Sequence, residues 1–238
     1  MTSPTLDDAV NRGLEWLDEH EARAVLRDYD IPCSDEVYLP FEADWDGADY
    51  AAAVEAAGDA PEYPVYLKVA TRGITSTSDA GGVERVDGPD AVAPAVDRML
   101  VAVADYDPEA AVEGLIVTAD VSPGRRELLL GGAVDPQFGP VVSLGVGGVA
   151  VEVYRDVAFR LAPVEPADAR ELLGELRGRA MLGAWRGMDP VDEDALVEAV
   201  CALSRLLDDH PEVVEVDVNP LMAGADGVVA ADALVRLG

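Results

Sequence analysis

A single lysine stands next to a loop rich in glycine and hydroxyl residues. Lys68 is the only lysine among 17 basic residues, and it lies inside the apolar run 64–70. The loop 71–82 follows it directly. Glycines let backbone N–H groups approach anionic oxygens, hydroxyls add donors, and an ammonium group supplies positive charge. The segment therefore indicates a phosphate site, although neither Walker A nor G-x-G-x-x-G is present. An ordinary surface turn of the same composition is the alternative.

A second group of polar residues lies near the end of the chain. Glu215, Asp217 and Asn219 alternate with valines, and Asp232 follows the run V-V-A-A. In a strand this alternation places the three polar side chains on one face and the valines on the other. A paired strand that brings Asp232 beside them would provide the hard oxygen ligands that Mg²⁺ prefers, and leave positions for phosphates and water. The alternative is a half-exposed edge strand in an acidic protein.

The elements that must position these residues follow from hydrophobic spacing and from turn residues. The pattern predicts helices over 5–29, 47–58, 90–104, 165–182 and 191–208, and strands over 36–40, 64–70, 112–119, 126–134, 212–217 and 226–231, with two further strand-like runs inside 139–153. Helices and strands are mixed, without the regular βα alternation of a doubly wound sheet. The sequence therefore predicts an α+β fold.

The charge balance limits the classes of partner. Forty-seven acidic residues against 17 basic ones give a formal charge of −30. Such a surface repels nucleic acid and anionic lipid, and no apolar stretch approaches the roughly 20 residues of a membrane span. The first 30 residues lack a secretory signal, so we expect a cytoplasmic protein. The charge is spread over the whole chain, which is typical of a halophile, and the two cysteines form no zinc or disulfide pattern.

Further motifs lie between the two polar groups. They are V-E-G-L-I-V at 112–117, R-E-L-L-L-G at 126–131, D-P-Q-F-G-P at 135–140 and V-E-V-Y-R-D-V-A-F-R-L-A-P at 151–163. In this order, and followed by E-V-D-V-N-P-L, they resemble the ATP-grasp β subunit, or β region, of ADP-forming acetate (acyl)-CoA synthetases, relatives of succinyl-CoA synthetase. The resemblance runs from about Glu19 to Leu237. It implies an ATP-grasp fold in which two α+β subdomains, residues 1–111 and 112–238, clamp Mg-ATP or Mg-ADP.

The resemblance also implies roles for individual residues. Lys68 matches the lysine that contacts nucleotide phosphate, and Glu127 matches an acid of the nucleotide site. Asn219 and Asp232 match two magnesium ligands. The glycine loop over the phosphates corresponds to Gly81, Gly82 and Val83. The strand whose main chain faces adenine corresponds to Val117, Thr118 and Ala119.

One residue departs from the family pattern. The family passes a phosphoryl group from an acyl phosphate through phosphohistidine to ADP, and its glycine loop reads L-H-K-S-D-x-G-G-V. Here the loop reads T-S-T-S-D-A-G-G-V from Thr75, so Ser76 occupies the relay histidine position. We interpret the two histidines, His20 and His210, as surface residues at helix ends.

Three functions are compatible with this sequence. The first is a nucleotide-binding β subunit that works with a CoA-binding α subunit in an α2β2 assembly. The second is a non-catalytic paralogue or regulatory partner that binds nucleotide. The third is a stand-alone ATP-grasp ligase that activates a carboxylate as acyl phosphate.

Overall fold

The computed structural model describes residues 2–74, 76–148 and 155–238, which form two compact units. The four-stranded unit contains Asp18–His20 and Ser34–Asp120. The six-stranded unit contains the described residues within Met1–Leu17, Glu21–Cys33 and Val121–Gly238. Part of the run 139–153 and of the motif 151–163 lies outside the described residues.

Two helices open the chain, α1 at Pro4–Arg12 and α2 at Glu19–Asp28. The prediction of one helix over 5–29 was wrong, and Gly13 gives the physical reason. Gly13 adopts φ 68° and ψ 34°, and its N–H caps the end of α1. This left-handed conformation suits glycine and terminates a helix. The N-terminus of α1 is capped by Ser3, whose hydroxyl accepts from the N–H of Leu6.

The four-stranded unit is an antiparallel sheet covered on one face by two helices. Its elements are β1 at Glu36–Pro40, α3 at Gly47–Ala56, β2 at Val65–Arg72, β3 at Val83–Val86, α4 at Val92–Tyr106 and β4 at Ala111–Ala119. The strand order is β1-β4-β2-β3. Alternate strand residues such as Leu67, Leu115 and Val117 pack with α4 in the core. The intervening residues, including Lys68, therefore belong to the opposite face, which we call the outer face.

The six-stranded unit is also antiparallel. Its elements after α1 and α2 are β5 at Arg126–Asp135, β6 at Gly139–Val146, β7 at Val157–Leu161, α5 at Pro166–Glu175, α6 at Glu193–Asp209, β8 at Val213–Gly224, β9 at Gly227–Ala230 and β10 at Leu234–Leu237. The order is β10-β8-β5-β6-β7, with β9 also paired to β8. Its core includes one face of this sheet and the apolar sides of the helices.

The α+β fold class predicted from the sequence is confirmed by this architecture. Strands β3, β7 and β10 were not predicted, and the helix expected over 165–182 ends at Glu175, followed by a 3₁₀ turn at Arg177–Leu182. The division between units differs from the predicted boundary at residue 111, because β4 pairs with β1 and β2 and so completes the first sheet.

No helix in the part of the chain that the structure describes is both long enough and apolar enough to span a membrane.

Candidate functional site

Lys68 lies on the outer face of the four-stranded unit. It is opposite Val83 on β3 and Ile116 on β4. Its Nζ donates to Oε1 of Glu19 at 2.6 Å, and the two side chains are only 8% and 12% exposed. A buried charge is costly unless it is paired, so this ion pair accounts for a lysine in an apolar strand. Sequence reasoning missed Glu19. The chain has 47 acidic residues, and nothing in the local sequence sets Glu19 apart from the others.

The neighbours of Glu19 are held to the same sheet. Asp18 pairs with Arg72 of β2 at 3.2 Å. His20 lies 3.0 Å from Glu36 through Nδ1, and its ring stacks on Tyr38 with centroids 4.3 Å apart. Residues 18–20 are therefore fixed to the outer face by three consecutive side chains, and we call them the acidic strap.

The second histidine differs from the sequence-based interpretation. His210 is buried, with 7% of its surface exposed, so the expectation of a surface residue was wrong. Its Nδ1 lies 2.8 Å from Glu212, and its ring meets Tyr29 edge to face. These contacts explain why a polar ring is tolerated at the end of α6.

The glycine loop is tied together by its own hydrogen bonds. The N–H of Gly82 donates to the carbonyl of Thr77 at 2.8 Å, that of Gly81 to Ser78 at 3.1 Å, and that of Asp79 to the Ser76 hydroxyl at 3.3 Å. A Cβ on Gly81 would lie 2.9 Å from Ala102 of α4. Both glycines thus serve close packing on α4, and the amide groups of residues 79–82 are already used inside the loop. Thr75 lies outside the described residues.

The segment predicted to face adenine forms the inner strand β4. Val117 is in the core, and Thr118 is buried with its hydroxyl 2.7 Å from that of Ser34. Because β4 pairs with β1 on one side and β2 on the other, the main chain of both residues is engaged in the sheet. Ala119 donates its N–H to Asp35.

Asn219 lies on β8, and Asp232 lies in the short connection between β9 and β10, the two strands that pair with this part of β8. On one side of Asn219, Leu221 pairs with Ala230, and on the other side Asp217 pairs with Leu234. Both pairs follow the same register, in which the position opposite Asn219 is that of Asp232. The hydrogen bond from the N–H of Ala231 to the carbonyl of Pro220 confirms this alignment. The side-chain oxygens of asparagine and aspartate are hard ligands of the kind that Mg²⁺ prefers.

Glu127 is exposed and alternates with the core residues of β5. It pairs with Met222 of β8, and its carbonyl accepts from the N–H of Gly147 at 2.7 Å. A Cβ on Gly147 would lie 2.7 Å from the backbone of Glu127, so glycine is required for this close approach. Glu127 and Asn219 thus come from adjacent strands on one face.

A concavity of about 480 Å³ lies on this face of the sheet. Gly131 and Gly132 are among its lining residues, together with Ser143, Glu215 and Asp217. Burial of the carboxylate raises the pKa of Asp217, and the negative charge of Glu215 raises it further. Among the described residues, no group of three or more His, Cys, Asp or Glu side chains is arranged to hold a metal.

Comparisons with known proteins identify the family to which this chain belongs. The sequence pattern of the ATP-grasp domain matches residues 8–237. Acetate–CoA ligase [ADP-forming] I subunit beta of Pyrococcus furiosus is 34% identical over 220 residues, which are 92% of this chain and 90% of that protein. The subunit beta of enzyme II from the same organism is 30% identical and covers 98% and 96%. Acetate–CoA ligase [ADP-forming] I of Archaeoglobus fulgidus is 39% identical, and the match spans 74% of this chain and 26% of that protein.

Solved structures give the same result. The dinucleotide forming acetyl-coenzyme A synthetase 1 of Ca. Korarchaeum cryptofilum, in complex with coenzyme A, Ca-AMPCP and HgCl⁺, superposes with a TM-score of 0.87 at 33% identity, covering 98% of both chains. A complex of that synthetase with coenzyme A and Mg-AMPPCP gives a TM-score of 0.77 at 30% identity, again covering 98% of both chains.

The fold and the matched pattern define an ATP-grasp protein. This chain belongs to the ATP-grasp family, in the group that contains the β subunits of ADP-forming acetate–CoA ligases. The family resemblance seen in the sequence is thereby confirmed.

Proposed function

We propose that this chain is the nucleotide-binding β subunit of an ADP-forming acetate (acyl)-CoA ligase. The reaction converts acyl-CoA, ADP and phosphate into the acid, ATP and CoA, and a CoA-binding α subunit carries the acyl site. The observation that supports this most strongly is the match to two Pyrococcus furiosus β subunits over nine-tenths or more of both chains. We further propose an α2β2 assembly, working in the cytoplasm of a salt-rich cell, for which the charge of −30 is the support.

Different residues of the proposed site bind different parts of the nucleotide. Lys68 neutralises phosphate, and Gly81, Gly82 and Val83 shape the loop beside it. The strand that leads to the adenine contact contains Val117, Thr118 and Ala119. Because hydrogen bonds within the sheet occupy the main chain of this strand, the adenine base contacts residues that follow Ala119. The other part of the proposed nucleotide site consists of Glu127, Asn219 and Asp232. Of these residues, Asn219 and Asp232 hold Mg²⁺. The metal supplies charge neutralisation of the phosphates when it is bound.

Replacing Lys68 tests the nucleotide site. We expect Lys68→Met to weaken binding of Mg-ADP at least tenfold, equivalent to about 1.4 kcal/mol, because a charge-assisted hydrogen bond is lost. Calorimetry measures this directly. Arg98→Met is the matched control, since Arg98 is an exposed cation of α4, 60% exposed. Equal affinity of Lys68→Met and wild type would remove Lys68 from the site.

Ser76 decides between this function and a non-catalytic paralogue. Serine is a poor phosphate relay because its hydroxyl needs a base and its phosphate ester is stable. Incubated with γ-labelled ATP, the isolated chain is expected to acquire no acid-labile label, while a complex with the α subunit is labelled on the partner and turns over. Nucleotide binding without turnover with every α subunit of the same cell would favour the paralogue. Acid-labile label on His20 or His210 would contradict this account of the relay.

A further inference from the structure

The pair formed by Lys68 and Glu19 has a consequence for ligand binding. Both side chains are about nine-tenths buried, and the 2.6 Å contact joins a full positive and a full negative charge. The positive charge that a phosphate would seek is therefore compensated in this structure. A carboxylate and a phosphate make the same kind of charge-assisted hydrogen bond to an ammonium group, so they compete for the same atom.

The acidic strap keeps Glu19 in this position. Asp18 and His20 on either side of it contact Arg72 and Glu36 of the sheet, so the backbone at Glu19 is anchored without its own ion pair. The strap is therefore held to the sheet by contacts other than that of Glu19 with Nζ. A negative charge beside the site also repels phosphate, and at low effective dielectric this repulsion is larger than in water.

We propose that Glu19 is the counter-ion that Lys68 exchanges for a phosphate oxygen of the nucleotide, and that this exchange sets the nucleotide affinity of the chain. The proposal rests on the proposed function, because it takes Lys68 as the phosphate-binding group. Glu19 acts through Lys68 and is a positioning residue. The substitution Glu19→Gln keeps the size of the side chain and removes the negative charge that lies 2.6 Å from Nζ.

The test is the sign of the change in affinity. Glu19→Gln is expected to bind Mg-ADP about fivefold more tightly or better, measured by calorimetry, whereas loss of a merely structural residue would weaken binding. Asp105→Asn is the matched control: it removes the same charge from an exposed residue of α4, which packs on the other face of the sheet, and is expected to leave affinity within twofold. In Lys68→Met, adding Glu19→Gln is expected to have no further effect beyond twofold.

The outcomes separate this inference from the proposed function. Unchanged or weaker binding by Glu19→Gln, in a chain where Lys68→Met lowers affinity, would overturn the exchange and leave the nucleotide site intact. Tightening of equal size in Asp105→Asn would also overturn it, because the effect would then come from the net charge of the chain. Failure of the wild type to bind Mg-ADP would instead overturn the proposed function. If Glu19→Gln melts below the assay temperature, Glu19→Asp, whose shorter arm breaks the 2.6 Å contact, is expected to tighten binding at least twofold.

Discussion

At the scale of the residue, Asp217 is held in a folded environment that disfavours its charge. Its pKa is raised first by burial of the carboxylate and second by Glu215. A carboxyl whose folded pKa exceeds its unfolded value destabilises the folded state above that folded pKa. This cost disappears as the pH falls below the unfolded value of about 3.9.

The sign of this shift gives a pH-dependent prediction. We expect Asp217→Asn to raise the melting temperature at pH 7, because the amide keeps the shape and removes the charge. The gain should shrink as the pH falls below about 3.9, where the carboxyl becomes protonated in the unfolded chain as well as in the folded one. Asp105→Asn is the control, since Asp105 is an exposed carboxylate of α4. A difference between Asp217→Asn and wild type that does not change with pH would contradict the titration account.

At the scale of the element, the turn after β6 depends on a close approach to β5. A Cβ at Gly147 would come within 2.7 Å of the Glu127 backbone, which cannot move without disturbing the sheet. We expect Gly147→Ala to lower the free energy of unfolding by about 1–3 kcal/mol through overpacking. By displacing Glu127 it should also weaken Mg-ADP binding by roughly threefold or more.

The control for this change lies in α5. A Cβ at Gly174 meets no atom within 4 Å, so Gly174→Ala should be neutral or stabilise by up to about 1 kcal/mol. Urea unfolding of both variants measures the difference. Equal unfolding midpoints for Gly147→Ala and wild type would show that β5 and the turn adjust freely.

Local spacing explains which elements the sequence could predict. The alternation of Glu215, Asp217 and Asn219 with valines placed these residues on the correct face of β8, because strand periodicity is local. The break at Gly13 was missed because helical spacing of apolar residues continues past it. The partner of Lys68 could not be found, since Glu19 and Lys68 are 49 residues apart and long-range pairing leaves no local signal.

At the scale of the whole molecule, stability should depend on salt. A formal charge of −30 raises the free energy of the compact state through self-repulsion. Near 1 M salt the screening length falls to about 3 Å, which removes most of this repulsion between exposed carboxylates.

We therefore expect the melting temperature to rise steadily from millimolar to molar KCl, and the chain to unfold at low salt. Differential scanning calorimetry over that range measures it. Glycine betaine at equal osmolality is the control, because it carries no net charge and does not screen. A flat melting temperature in KCl, or an equal rise in betaine, would rule out charge repulsion as the cause.

The single lysine also makes the protein a spectroscopic reporter of its own binding site. Reductive methylation with ¹³C-formaldehyde modifies primary amines, so Lys68 would give the one side-chain methyl signal of the whole chain. Arginine, which makes up the other 16 basic residues, does not react under these conditions. The chemical shift of that signal would follow the surroundings of Nζ as nucleotide is added, and protection from methylation would show how often the amine opens to solvent.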